Sequence, residues 1–179
     1  MAALVKSLLD YSRLNKEIEK ENVNLNEVLN DVRVDFELLI EDKHGAIESG
    51  PLPTVVANYM QLVQLFSNLI GNSLKFSAAN PVIEISAAVV ASEEITGAPR
   101  KLSECNYWRI TVSDNGIGFD QQYSELIFTL FQRLHKKQEY GGTGIGLALC
   151  KKIAENHDGF ITATAETGKG SVFNVYLPA

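Results

Sequence analysis

The chain has 179 residues, of which 45% are hydrophobic and 21% charged, with a formal net charge of −6. Length and composition suit one compact domain with a short appendage. The acidic balance argues against a nucleic-acid binder, which needs a basic surface, but leaves room for a phosphate-bearing small molecule at a local site.

No apolar run reaches membrane-spanning length and the start does not read as a signal peptide. Cys105 and Cys150 share no metal-type spacing, so a reduced, cytoplasmic setting is expected. Residues 3–20 read as a helix with a narrow apolar seam at Leu4, Leu8, Tyr11 and Ile18, widened by Leu9 and Leu14, before a charged exit. Val23 to Leu25 reads as a short edge strand. Asn26 then caps a helix over roughly 27–41, with Val28, Leu29, Val32, Phe36, Leu39 and Ile40 on its apolar side. Gly45 ends that helix, Ala46 to Ser49 is a strand, and Gly50-Pro51-Leu52-Pro53 is a turn.

A second helix is predicted over roughly 58–76, and Pro81 stops it and opens a strand over 82–90. Residues 91–104 read as a loop, and the strand over 107–112 runs into Asp114. Residues 120–143 lack clear periodicity apart from a short helix, and so long an irregular stretch inside a compact domain usually carries function. A helix over 145–156 and a hairpin of strands 160–165 and 172–177 complete the chain. The mixture predicts an α+β fold, a sheet covered on one face by helices.

Four stretches carry chemistry. Asn68, Asn72 and Lys75 stand at i, i+4 and i+7, which puts them on one helix face. Amide oxygens are hard, neutral ligands suited to Mg²⁺, and the lysine suits phosphate; an ordinary solvated face is the alternative. Asp114 ends an apolar strand, where a carboxylate can accept a hydrogen bond from an exocyclic amine such as adenine N6. Gly116 and Gly118 let the backbone approach a flat ring; a plain Asp-Asn-Gly turn is the alternative. Gly141-Gly142-Thr143-Gly144-Ile145-Gly146 opens a helix and offers free backbone N–H groups to an anion, without the pattern of a P-loop or a Rossmann turn. It also suits a hinge. Gly168-Lys169-Gly170-Ser171 reads by itself as a hairpin turn. His44, His135 and His157 are scattered, and only His135, beside Arg133, is retained as a site residue.

Taken together, Asn68–Phe76, Asp114–Phe119, Ile127–His135, Gly142–Leu147 and Gly168–Ser171 resemble the N, G1, F, G2 and G3 boxes of the catalytic ATP-binding domain of sensor histidine kinases, in order, over about residues 22–179. The resemblance implies a two-layer α/β sandwich shared with gyrase, heat-shock chaperone and mismatch-repair ATPases. Its mostly antiparallel mixed sheet would have about five strands, with about three helices on one face. ATP and Mg²⁺ are the implied ligands. Asn72, with Asn68, would hold the metal; Lys75 and Phe76 would flank the nucleotide; Asp114 would read the adenine amine, with Gly116, Ile117 and Gly118 beside the base. Gly142, Thr143, Gly144, Ile145, Gly146 and Leu147 would hold phosphates, residues 119–141 would form a lid carrying Phe131, Arg133 and His135, and Ser171 would close the pocket. Residues 1–21, with Leu8-Leu9-Asp10-Tyr11-Ser12-Arg13-Leu14, resemble the end of the second helix of the family's dimerisation and phosphoacceptor domain.

The resemblance further implies transfer of the γ-phosphoryl group to a histidine that this sequence lacks, in a homodimeric parent that passes it to a response regulator, with no membrane contact from these residues. The related ATPases carry a glutamate where Asn68 stands, and an amide is no general base, which favours transfer over hydrolysis. A nucleotide-binding signalling or scaffold module without turnover, and a serine-directed kinase of the same superfamily, are the alternatives.

Overall fold

The computed structural model describes residues 8–9, 11–12, 14, 19–77, 80–95, 98–99, 105–134 and 142–179. Residues 8–9 and 11–12 are helical and Leu14 is buried. The helix does not run to residue 20 as predicted: residues 19–20 have left it and lead into strand β1 (Glu21–Asn24). The other positions of the predicted 3–20 helix lie outside the described residues.

Helix α1 (Leu25–Asp42) begins earlier than the sequence suggested, and its N-cap is Asn24 rather than Asn26. Asn24 keeps extended backbone angles and its side chain accepts from the Asn26 N–H at 3.0 Å. Asn26 instead fastens the helix start to the proline turn, donating from Nδ2 to the Leu52 carbonyl at 2.8 Å and accepting from the Leu52 N–H at 3.1 Å. After strand β2 (Ala46–Ser49), that turn leads into β3 (Thr54–Ala57), a strand the sequence does not announce. Four residues after a proline are too few to show a period. β1 and β3 pair antiparallel as a separate two-stranded sheet.

Helix α2 (Tyr59–Lys75) is capped by Asn58, whose side chain accepts from the Gln61 N–H. It buries Leu62, Leu65, Phe66, Leu69, Ile70 and Leu74, each contributing roughly 1.5–3 kcal/mol on leaving water. Its last turn receives a cation from outside: Lys43 Nζ donates to the carbonyls of Leu74 at 2.7 Å and Ser77 at 3.1 Å, satisfying acceptors the helix end leaves open.

Strands β4 (Val82–Ala91) and β5 (Asn106–Asp114), helix α3 (Gly146–Asn156), and strands β6 (Phe160–Glu166) and β7 (Gly170–Pro178) complete the order. The five-stranded sheet runs β2-β4-β5-β7-β6, with β2 and β4 parallel and every other pair antiparallel. Alternate residues such as Ile85, Ile110, Val112, Phe173 and Val175 face the helices and form the main core. On the other face, Phe160 stacks on Tyr176 at 4.4 Å beside Tyr107, with Val90, Ile95 and Ala98 packed against them. This is the α+β sheet with three helices on one face that the motifs implied.

The predicted short helix after residue 120 is two tight 3-10 turns, Gln121–Tyr123 and Leu126–Phe128. The Gln121 side chain clasps the free edge of β6, accepting from the Ala165 N–H at 2.9 Å and donating to the Ala163 carbonyl at 3.3 Å, which holds the chain after a single turn.

His157, directly after α3, is 2% exposed. Its Nδ1 lies 2.7 Å from the Ile153 carbonyl and its Nε2 accepts from the Asn58 N–H at 2.9 Å, so the neutral Nδ1–H tautomer satisfies both. Burial pushes its pKa below the ordinary 6.5, and the charge of Lys20 adds to this; the Ile153 carbonyl and Asp158 pull the other way. Below about pH 6.5 the unfolded chain therefore takes up a proton that the folded chain refuses, and stability falls as pH falls. The melting temperature is expected to drop between pH 7.5 and 5.5, and His157→Gln to flatten that slope; an unchanged slope in the variant contradicts the assignment.

Candidate functional site

A cavity of about 460 Å³ opens between the polar face of α2, the end of β5, and residues 142–149 at the start of α3. That volume suits a ligand of nucleotide size. On α2 the lining residues follow one helical stripe: Gln64, Ser67, Asn68, Gly71, Asn72 and Lys75. The stripe stays polar because the opposite side of the same helix fills the core.

Asn68 is held in a definite orientation. Its Nδ2 donates to the Gln64 carbonyl one turn back at 2.7 Å, which leaves Oδ1 as an acceptor facing the start of α3. A Cβ placed on Gly146 would stand 2.8 Å from that oxygen, so the glycine lets Asn68 keep this orientation against the start of α3. Helix α3 begins at Gly146 without a side-chain cap, so its first N–H groups remain open to an anion.

Lys75 Nζ sits 4.2 Å from the centre of the Phe76 ring. Burial, and next the positive charge of Arg133, depress its pKa. Two cations held together in a partly dry wall favour an anionic ligand that would relieve their repulsion. Gly142 lies directly against Lys75, and Gly144 packs on the backbone of Phe131 and Gln132, so the glycine loop touches both α2 and the irregular stretch.

The most heavily hydrogen-bonded side chain of the cavity wall is the half-buried Asp114. Its Oδ1 accepts from the Gly116 N–H at 2.9 Å and the Ser171 N–H at 3.3 Å. Its Oδ2 accepts from the hydroxyls of Ser171 at 2.6 Å and Ser73 at 3.0 Å. The turn that follows is fixed from three sides. Asn115 accepts from the Val82 N–H, Ile117 N–H donates to the Phe76 carbonyl, and the Ile117 carbonyl accepts from the Gly168 N–H. The glycine hairpin therefore braces the turn beside Asp114, which a local reading of Gly168–Ser171 does not reveal.

Of the residues singled out from the sequence, Asn68, Asn72, Lys75, Phe76, Asp114, Ile117, Gly118, Arg133, Gly142 to Leu147 and Ser171 all line this one cavity. Gly116 does not line it; it packs behind the carboxylate, where a Cβ would lie 2.8 Å from Asp114 Oδ1 and 3.0 Å from the Phe76 carbonyl. Phe131 does not line it either; it is 53% exposed and has a positive φ of 64°. His135 lies outside the described residues. Sequence reasoning missed Gln64, Ser67 and Gly71, although Gln64 and Gly71 stand four before and three after Asn68, and Ser67 four before Gly71, on the same helix stripe. It also missed the apolar wall of Phe119, Ile127 and Phe173, and Ser73 as a partner of Asp114.

Comparison with known proteins gives the family. The family model described as histidine kinase-, DNA gyrase B-, and HSP90-like ATPase matches residues 57–179. Among curated proteins, the chain is 37% identical over 180 residues to the phytochrome-like protein Cph1 of Synechocystis, covering 99% of this chain and 22% of that protein. It is 32% identical over 187 residues to the sensor histidine kinase RppB of the same organism, covering 99% of this chain and 38% of that one. The chain thus spans well under half the length of these relatives. Among solved structures, ShkA in complex with AMPPNP superposes with a TM-score of 0.75 at 26% identity, over 98% of this chain and 35% of that one. The catalytic domain of the histidine kinase ThkA superposes with a TM-score of 0.70 at 25% identity, over 90% of this chain and 96% of that one. With more than half of its residues inside the family model and a sensor histidine kinase among its relatives, the chain belongs to the histidine kinase-, DNA gyrase B- and HSP90-like ATPase family, on the histidine kinase side.

Proposed function

We propose that the chain binds Mg²⁺-ATP and delivers the γ-phosphoryl group to a histidine on a dimerisation and phosphoacceptor domain, from which a response regulator receives it. The observation that carries this reading is the convergence of Asp114, the Asn68–Asn72–Lys75 face and the uncapped start of α3 on one cavity. The adenine amine would lie on Asp114 and the phosphates between Lys75 and the N-terminus of α3.

Among the described residues no three His, Cys, Asp or Glu side chains cluster as a metal cage. The available oxygens are neutral amides, and Asn68 Oδ1 faces the proposed phosphate position. This suits Mg²⁺, which is commonly held by few protein ligands together with substrate phosphates and water. When bound, the ion would neutralise phosphate charge; Asn72 and Asn68 would hold it. No carboxylate occupies position 68, so that helix turn presents no base to a water molecule, and the chain's own residues orient ATP rather than attack it. The N-terminal residues up to 21 would continue from the second helix of the phosphoacceptor domain. The relatives named as sensor histidine kinases, and the ShkA complex with AMPPNP, support the reading.

The test is incubation with γ-labelled ATP, Mg²⁺ and a separate histidine-bearing phosphoacceptor domain. Acid-labile, base-stable label on the acceptor is expected, reduced about 100-fold or more by Asn72→Ala. Intact ATP binding with no label on any acceptor contradicts transfer.

A further inference from the structure

Asp114 has more donors than it can keep once an amine arrives. A carboxylate offers about four lone-pair sites, and the Gly116 N–H, the Ser171 N–H, the Ser171 hydroxyl and the Ser73 hydroxyl already claim them. The two N–H groups belong to braced backbone and cannot turn away. The Ser171 hydroxyl is the closest donor, at 2.6 Å, and has no second acceptor among the described residues. Ser73 differs. Its Oγ lies 3.0 Å from Asp114 Oδ2 and also 3.2 Å from the Leu69 carbonyl one helical turn back. One hydroxyl proton can serve only one of these acceptors at a time. Back-bonding to the carbonyl four residues earlier is an ordinary alternative for a helical serine.

We propose that Ser73 is a specificity-determining rotor: its hydroxyl proton sits on Asp114 in the empty pocket and turns to the Leu69 carbonyl when a purine amine occupies Oδ2. The proposal rests on the reading of Asp114 as the amine acceptor. The rotation breaks one hydrogen bond and forms another, with no net proton transfer. It keeps the half-buried carboxylate satisfied without nucleotide, and it leaves the buried Ser73 hydroxyl satisfied with it. The cost is that the amine exchanges for a charge-assisted bond, so Ser73 weakens binding of amine-bearing purines and leaves amine-free ones untouched.

The experiment is titration of ATP and of purine riboside triphosphate, which lacks the amine, into the parent, Ser73→Ala, Ser73→Cys and Ser171→Ala proteins. The parent is expected to prefer ATP. Ser73→Ala and Ser73→Cys are expected to raise that preference about threefold or more, with affinity for the amine-free nucleotide unchanged. Ser171→Ala is expected to lower it, because that hydroxyl holds Asp114 in place and does not yield. Ser73→Ala weakening ATP alone makes Ser73 a fixed positioning donor and overturns the rotor. Equal changes for both nucleotides mean a purely structural hydroxyl and overturn it as well. A parent that binds both nucleotides equally overturns the Asp114 reading itself, and the rotor with it. The cysteine variant, close in shape with a weak donor, decides the matter if the alanine variant fails to fold.

Discussion

Replacing Asp114 by Ala is expected to lower the affinity for ATP about 100-fold, the loss of a charge-assisted contact together with the order of its surroundings. The carboxylate holds four donors from three parts of the chain: the helix residue Ser73, the turn at Gly116 and the hairpin residue Ser171. Removing it disconnects all three at once. Asp114→Asn is the sharper probe, because it keeps the volume. An amide carries one acceptor oxygen and one NH₂ donor, so one of the two donor pairs now on Asp114 would meet a donor instead. Both variants are also expected to melt several degrees lower, since each uncompensated donor costs on the order of 1–3 kcal/mol where water does not reach it. Calorimetric titration and thermal melts measure both effects. Affinity within threefold of the parent in Asp114→Asn contradicts the assignment.

The second large effect is at Gly118. Its φ is +61°, and a Cβ there would overlap the backbone carbonyl of Glu166, which cannot move aside without breaking the β6–β7 hairpin. Left-handed backbone costs a non-glycine residue about 1–2 kcal/mol, and the backbone overlap adds to it, so Gly118→Ala is expected to lose about 3 kcal/mol or more. For a chain of this size that is a fall of roughly 6–12 °C in melting temperature. Gly168 supplies the control. Its φ is +81°, but a Cβ there would meet nothing within 4 Å. Gly168→Ala therefore carries backbone strain alone and is expected to lose only about 1–2 kcal/mol. Comparable losses in the two variants show that the close approach at Gly118 is not what makes it necessary. ATP affinity should follow the same order, because Gly118 lines the cavity and the hairpin braces the turn after Asp114.

The α2 stripe was legible in the sequence because one helix carries both its polar and its apolar faces, and the period of 3.6 separates them. Asp114 was legible because an apolar strand runs directly into it. The fold class followed from the same periodicities. Three kinds of feature escaped. Strand β3 is four residues long and pairs with β1 across α1 and β2, so nothing local marks it. The choice of Asn24 over Asn26 as cap depended on Leu52, which draws the Asn26 side chain away from the helix start. Ser73 lies between the polar stripe and the core and meets a partner 41 residues away, a pairing that no spacing rule predicts. Phe131, which its motif implied for the pocket, is not among the residues lining the cavity and is 53% exposed, while its backbone packs against Gly144.

In the proposed function these separated stretches form one site for Mg²⁺-ATP. Calorimetric titration of ATP into this chain, with Mg²⁺ and then with a chelator in its place, tests it most directly. Saturable binding of one nucleotide per chain is expected, weakened when the metal is withdrawn and weakened further by Asp114→Asn. No saturable binding with Mg²⁺ present, or binding indifferent to both the metal and Asp114, would contradict it.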